Sequence, residues 1–383
     1  MKEIDNIEDL GKWLTDKCQP PKVVQEQDLT VFKKQFLSLN IFHDSIFLGC
    51  KGDNELFGHL VKNGAFCIPH KENNLFSLHR KNLYSVEELF KGFSMSDTTG
   101  YENTFDYKVY KQYVNNGKAN PTSIKTSLYR RLHDHSITDA LNETLKGEKV
   151  VAVMGGHSME RQDKFYKKIA FLSRKLTQEG YLMVSGGGPG AMEATHLGAY
   201  FATKSEEDLN NAIAQIKIRP EGAKKNKEYN DIDWLHRAWK VRQDFPVKNN
   251  EFKNCKSVGI PTWLYGHEPP APFATHVAKY FANSVREDGL LAIAKYGVIF
   301  APGSAGTTQE IFQDACQNHY NSTGVISPML LFGEKHWTEV RPLWDFLKKT
   351  AKSKPYGELL ALTDDEEEII RRIKSFNPEI YTL

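Results

Sequence analysis

From Lys149 onward the sequence repeats one pattern: an apolar run breaks into glycines and an amphipathic segment follows. "KVVAVMGG" reads as a strand ending in glycines, and "ERQDKFYKKIAFLSRKLTQEG" as a helix stopped at Gly180. "YLMVSGGGPG" and "AMEATHLGAYFA" repeat the unit. "KSVGIPTW", "YGVIFAPG" and "PMLLFG" are further strands with helices between them, and "LLALTDDEEEIIRRIKSF" reads as a last strand and a final helix. Such alternation implies an α/β fold of the Rossmann-like, doubly wound kind, its parallel sheet covered on both faces. In these sheets ligands bind at the carboxyl ends of the strands, where the glycines fall.

Residues 1–145 have a different texture. "DSIFLGC" (44–50) and "AFCIPH" (65–70) read as strands around a helix, "NELFGHLVKNG" (54–64), closed by Gly64. A smaller N-terminal α/β domain is therefore expected over 1–145, and the doubly wound domain over 146–383. "GKANPTSIKTS" (117–127) is polar and turn-rich, a linker or long surface loop, and "LYRRLHDHSITDALNETL" is a helix feeding the second domain. Residues 204–255 interrupt the alternation with mixed charge. They read as a solvated insertion, anchored by Trp234, Ala238 and Val241 at helical spacing.

With 383 residues, 40% of them apolar and 26% charged, the chain suits a soluble globular protein of two or three domains. A net charge of +2 provides no global field for nucleic acid or membrane. No apolar run approaches a membrane span, and "MKEIDNIEDLGKWL" lacks the order of a signal peptide. The cysteines, Cys18, Cys50, Cys67, Cys255 and Cys316, are scattered and never form C-x-x-C, as expected for reduced thiols in a cytoplasm. In "HDH" (133–135) the two histidines cannot share a helix face, so no metal site is expected.

Three loops carry the candidate chemistry: "GGHS" (155–158), "SGGGPGAME" (185–193) and "PGSAGTTQE" (302–310). Glycine lets backbone N–H groups approach a ligand, and the helix N-terminus that follows adds unpaired donors and a partial positive charge. Together these make a phosphate cradle. The P-loop pattern G-x-x-x-x-G-K-[ST] is absent. Gly186, Gly188 and Ala191 do fit G-x-G-x-x-A, and Glu206, Glu207 and Asp208 follow about 20 residues on, as a dinucleotide-binding protein would have them. Against that reading, Pro189 sits inside the turn, the loop follows the second strand of its unit, and a second anion loop exists at 302–308. Those features suit one phosphorylated sugar better. Blander readings stand beside each motif. The glycines can serve tight strand-to-helix packing. Thr307 to Glu310 spells T-x-x-E, a capping box. Arg286 can pair with Glu287 or Asp288, and "YGHEPPAP" can be a proline-stiffened turn.

"SGGGPGAMEA" together with "PGSAGTTQE" resembles the LONELY GUY (LOG) family of nucleoside-monophosphate phosphoribohydrolases, whose pattern is G-G-G-x-x-G and, downstream, P-G-G-x-G-T-x-x-E. An arginine on the preceding helix, about two dozen residues before the final Glu, is matched by Arg286. The resemblance covers about 148–375, with Ser304 standing where the family has glycine. "PGSAGT" and "GHEPPAPFATHVAKYFANSVREDGLL" look more like the long bacterial branch, the pyrimidine/purine nucleotide 5'-monophosphate nucleosidases, which carry an extra N-terminal domain.

The resemblance implies hydrolysis of the N-glycosidic bond of nucleoside 5'-monophosphates to free base and ribose 5-phosphate, with no cofactor. No lysine stands in a setting that suggests a pyridoxal Schiff base, so the family's old decarboxylase label finds no support. Glu310 and Arg286 are the implied catalytic residues. Gly303, Ser304, Gly306, Thr307 and Thr308, with Gly186, Gly187, Gly188 and Gly190, would hold the phosphate. Glu193, Gly155, Gly156, Ser158, His267 and Glu268 are candidates for the ribose and base. The resemblance also implies a homo-oligomer, a dimer or tetramer. It makes an alarmone such as (p)ppGpp a candidate effector. A nucleotide sensor without hydrolysis and a dinucleotide-binding protein are the alternatives.

Overall fold

The computed structural model describes residues 2–16, 20–69, 75–96, 100–217 and 227–382. The chain divides into two compact units, 1–82 with 121–141, and 83–120 with 142–383. A single cut near residue 145 is therefore too simple, because residues 83–120 pack into the larger unit. Part of the expected insertion, residues 218–226, lies outside the described residues. Among the described residues no helix is long and apolar enough to cross a membrane.

The smaller unit holds a four-stranded sheet, β1 (Lys2–Ile4), β2 (Lys22–Gln25), β3 (Ile46–Cys50) and β4 (Phe66–Pro69), in that order and parallel throughout. The strand–helix–strand reading of 44–70 corresponds to β3, the helix Asn54–Lys62 and β4. An aromatic core of Trp13, Phe36, Phe42 and Phe47 fills this unit.

The larger unit is built on β5 (Lys149–Met154), β6 (Tyr181–Ser185), β7 (Ser257–Gly259), β8 (His276–Val277), β9 (Val298–Phe300), β10 (Met329–Phe332) and β11 (Leu360–Thr363). All seven are parallel, in the order β11-β10-β9-β5-β6-β7-β8. The molecule is thus α/β, with a Rossmann-like doubly wound sheet. The apolar runs became strands because every residue of β6, β7, β9 and β10 is buried, which only a sheet covered on both faces allows. From β5 the chain runs outward through β6, β7 and β8, then returns to place β9 on the other side of β5. That reversal is the topological switch point, where the loops after β5 and β9 part and leave a crevice.

Residues 204–255 are more ordered than a solvated insertion. They form the helices Glu206–Ile216 and Ile232–Asp244, and Trp234, Ala238 and Val241 are buried as their spacing predicts. Glu206, Glu207 and Asp208 occupy the first turn of the Glu206 helix, where Ser205 and Asp208 form a capping box. They serve a helix end, so the acid of the dinucleotide fingerprint is accounted for without a ribose.

Candidate functional site

The three glycine loops meet at the switch point. Gly156 donates its N–H to Pro302 O at 3.1 Å and accepts that of Ala191 at 3.2 Å, which laces the loop after β5 to the other two. Gly190 caps the helix Ala191–Tyr200 at φ 72° and ψ −130°, a conformation closed to side chains, and a Cβ there would lie 2.4 Å from Gly156 O. Gly190→Ala is expected to cost about 1–3 kcal/mol in backbone strain alone and to part the loops. Urea denaturation measures the first effect, and faster amide hydrogen exchange in the three loops the second.

The helix Ala305–Tyr320 points its N-terminus into the crevice. Its first intrahelical bond is Thr308 N–H to Ser304 O, so the N–H groups of Ala305, Gly306 and Thr307 remain for a ligand. Ser304 is the N-cap, with no side-chain capping bond. The T-x-x-E capping box is therefore not formed: Thr307 is already the third helical residue, so neither its hydroxyl nor Glu310 stands at the helix start. Gly303 is held close under Thr307, where a Cβ would fall 2.1 Å from Thr307 Oγ1.

Glu310 lies one turn deeper and faces Arg286, on the helix Asn283–Ala292, with 3.5 Å between Oε1 and Nη1. Burial pushes the Glu310 carboxyl up to about 7, against the pull of Arg286 and with a push from Glu287. Arg286 also donates to Asn283 Oδ1 at 3.1 Å and pairs with Glu287 at 3.4 Å, so the surface-pair reading is partly true. Its Nε is buried without a partner among the described residues, as is Thr262 Oγ1 nearby. A ligand oxygen would satisfy such groups.

These residues line one cleft of about 450 Å³, within the ordinary range for small-molecule sites. It brings together Gly155, Gly156, Gly186, Gly188, Arg286, Ser304, Gly306, Thr307, Glu310, His267 and Glu268 of the expected residues. Gly187, Gly190 and Gly303 shape the loops from behind. Thr308 turns its hydroxyl back to Ser304 O at 3.1 Å, and Ser158 stands outside the lining. A larger hollow, about 1220 Å³ around Trp344 and Lys348, lies beside β11, and none of the three glycine loops lines it.

Glu193 is a correction. It is fully buried and receives Arg161 through Nε at 2.9 Å and Nη2 at 2.5 Å, with the Tyr166 hydroxyl at 2.9 Å. It faces the helix Lys164–Gln178 rather than the cleft. Arg161 in turn donates to Trp234 O at 2.9 Å, and its backbone N–H goes to Glu228 at 2.7 Å. This core pair therefore fastens the segment that brings Lys227 and Tyr229 into the cleft lining. His157, in the first glycine loop, also lines the cleft, whereas Lys227, Tyr229, Met192 and Thr262 were not legible as site residues. The two from 227–229 lie in a stretch whose charge reads as solvent-facing. Elsewhere, His133 contacts the adjacent Asp134 at 3.2 Å and His135 contacts Asp139 at 3.3 Å, so the histidines of "HDH" turn to separate acids.

No family model matches the chain, and no curated protein matches it. Among solved structures it is similar to the molybdenum cofactor binding protein from the phototrophic bacterium Rippkaea orientalis, at 15% identity and a TM-score of 0.34, over 60% of this chain and 96% of that one. A likeness this loose carries no functional argument.

Proposed function

We propose that the protein hydrolyses the N-glycosidic bond of nucleoside 5'-monophosphates. The observation that carries this reading is the half-buried Glu310–Arg286 pair one helical turn from an open, glycine-flanked helix N-terminus in one cleft. The 5'-phosphate would take the N–H groups of Gly306 and Thr307 and the partial positive charge of the helix end. Arg286 would hold a phosphate or ribose oxygen through its unpartnered Nε. Glu310 then lies about a ribose away from the phosphate, beside the anomeric carbon.

As the C1'–N bond breaks, its electron pair leaves with the base and positive charge builds on the ribose. An ionised Glu310 stabilises that charge, orients the attacking water and accepts its proton as the water oxygen bonds C1', while the departing base takes up a proton from solvent. A homo-oligomer in the cytoplasm, with an alarmone effector, belongs to the same proposal.

The ionised form is the working form, and the folded-state carboxyl titrates near 7. Base release is therefore expected to rise with pH through about 7 and then level off. Initial rates of kcat/KM between pH 5.5 and 8.5 check this, and a profile already flat from pH 5.5 would contradict it. Chromatographic detection of free base from AMP, GMP, CMP, UMP and IMP tests the activity itself.

A further inference from the structure

We propose that Glu268 reads the base: it accepts a hydrogen bond from an exocyclic amino group, so the cleft favours amino-bearing bases over their oxo counterparts. The inference rests on the nucleotide reading above. Glu268 lines the cleft with 14% of its side chain exposed. A Cβ on Gly188 would lie 3.7 Å from Glu268 Oε2, and one on Gly186 would lie 3.9 Å from Arg286 Nη1. The glycine strip thus runs from the Arg286–Glu310 pair at one end to Glu268 at the other. A nucleotide whose phosphate takes the Ala305 helix end and whose ribose meets Glu310 has its base left for the Glu268 end.

That end is built for a base. Tyr229 lines the same cleft as Glu268 and its ring meets His157 at 6.2 Å; burial and then the Glu268 carboxylate push the phenol up to about 12. Tyr265 and His267 complete the wall. Aromatic faces accept a base plane, and a fixed polar group reads its edge. A carboxylate oxygen accepts hydrogen bonds and offers several lone-pair sites. It therefore suits the amino groups of adenine and cytosine and repels the oxo oxygens of hypoxanthine and uracil at the same positions.

The turn bearing Glu268 is also held rigid. Glu268 N–H bonds Tyr265 O at 2.9 Å. Behind it the fully buried Asp106 accepts from Trp263 Nε1 at 2.9 Å, Lys279 Nζ at 2.7 Å and the Tyr101 hydroxyl at 2.5 Å, and Tyr101 reaches Gly266 O at 3.1 Å. A specificity group held this way keeps its position whether or not a ligand is bound.

The test is calorimetric binding and base release for two matched pairs, AMP with IMP and CMP with UMP, using the full chain and its Glu268→Ala and Glu268→Gln variants. The wild type is expected to favour AMP and CMP by about tenfold or more in Kd. Glu268→Ala is expected to bring both ratios to within about twofold while leaving ribose 5-phosphate binding unchanged; Glu268→Gln, whose amide can also donate, moves them toward IMP and UMP. Equal affinity within each pair in the wild type would overturn the proposal. So would an Ala variant that weakens all four nucleotides and ribose 5-phosphate alike, since that pattern belongs to a structural residue. Selective binding without cleavage would sustain the base reading and refute hydrolysis, and no binding by any monophosphate would refute both.

Discussion

Glu310→Gln is expected to lower kcat for base release by about a thousandfold while nucleotide binding survives, the size of effect that a positioned acid–base group and transition-state charge partner supply. The substitution keeps the shape of the side chain and removes the charge that faces the developing cation. The fold itself is expected to tolerate it. Glu310 in the folded chain titrates near 7 against an ordinary 4.5. Between those values the native state keeps a proton that the unfolded chain has lost, so this group's contribution to stability falls as pH rises. Above pH 7 the wild type bears the full cost of a buried charge, up to about 3 kcal/mol, and the glutamine variant is free of it. Thermal denaturation at pH 8 should therefore find the variant at least as stable as the wild type, with the difference closing below about pH 5. A variant that unfolds earlier at pH 8 would mean that Glu310 is structural.

Glu193→Ala is expected to act in the opposite way, on stability first. It leaves the Arg161 guanidinium, 1% exposed, without its counter-ion and removes the acceptor of the Tyr166 hydroxyl. Breaking a buried pair from one side typically costs about 3–5 kcal/mol, because the remaining charge stays desolvated. Urea denaturation monitored by circular dichroism reads this directly. Lys335→Ala, which removes one end of an exposed pair with Glu339 at 4.0 Å, is the control and should leave the midpoint unchanged. Because Arg161 also holds Trp234 and Glu228, Glu193→Ala is further expected to loosen Tyr229 and raise KM. An unchanged midpoint would remove Glu193 from the core network.

The sheet was legible because a strand buried on both faces leaves an unbroken apolar run, and β5, β6, β9 and β10 all come from such runs. The loops were legible because glycine is needed wherever backbone crowds backbone, as at Gly190 and Gly303. Helix phase was not. Glu193 and Glu310 look alike beside their glycines, yet Glu193 is the third residue of its helix and Glu310 the sixth. The residue that corresponds to Glu193 is Thr307, and both side chains are buried, Thr307 at the border of the cleft. Where a helix begins by a residue or two decides which side chain reaches a cleft, and a sequence fixes that boundary least well. Tyr229 was missed for another reason. It is carried in among charges and delivered to the cleft by Arg161 from about 70 residues away, a contact with no local signal.

The central claim, cleavage of the glycosidic bond at the Glu310–Arg286 cleft, is tested most directly by following all products from AMP, GMP, CMP, UMP and IMP with the wild-type protein. The account predicts free base and ribose 5-phosphate in equal amounts from at least one of them, with no inorganic phosphate. Intact nucleotide from all five at high enzyme concentration, or nucleoside and phosphate in place of base, would contradict it.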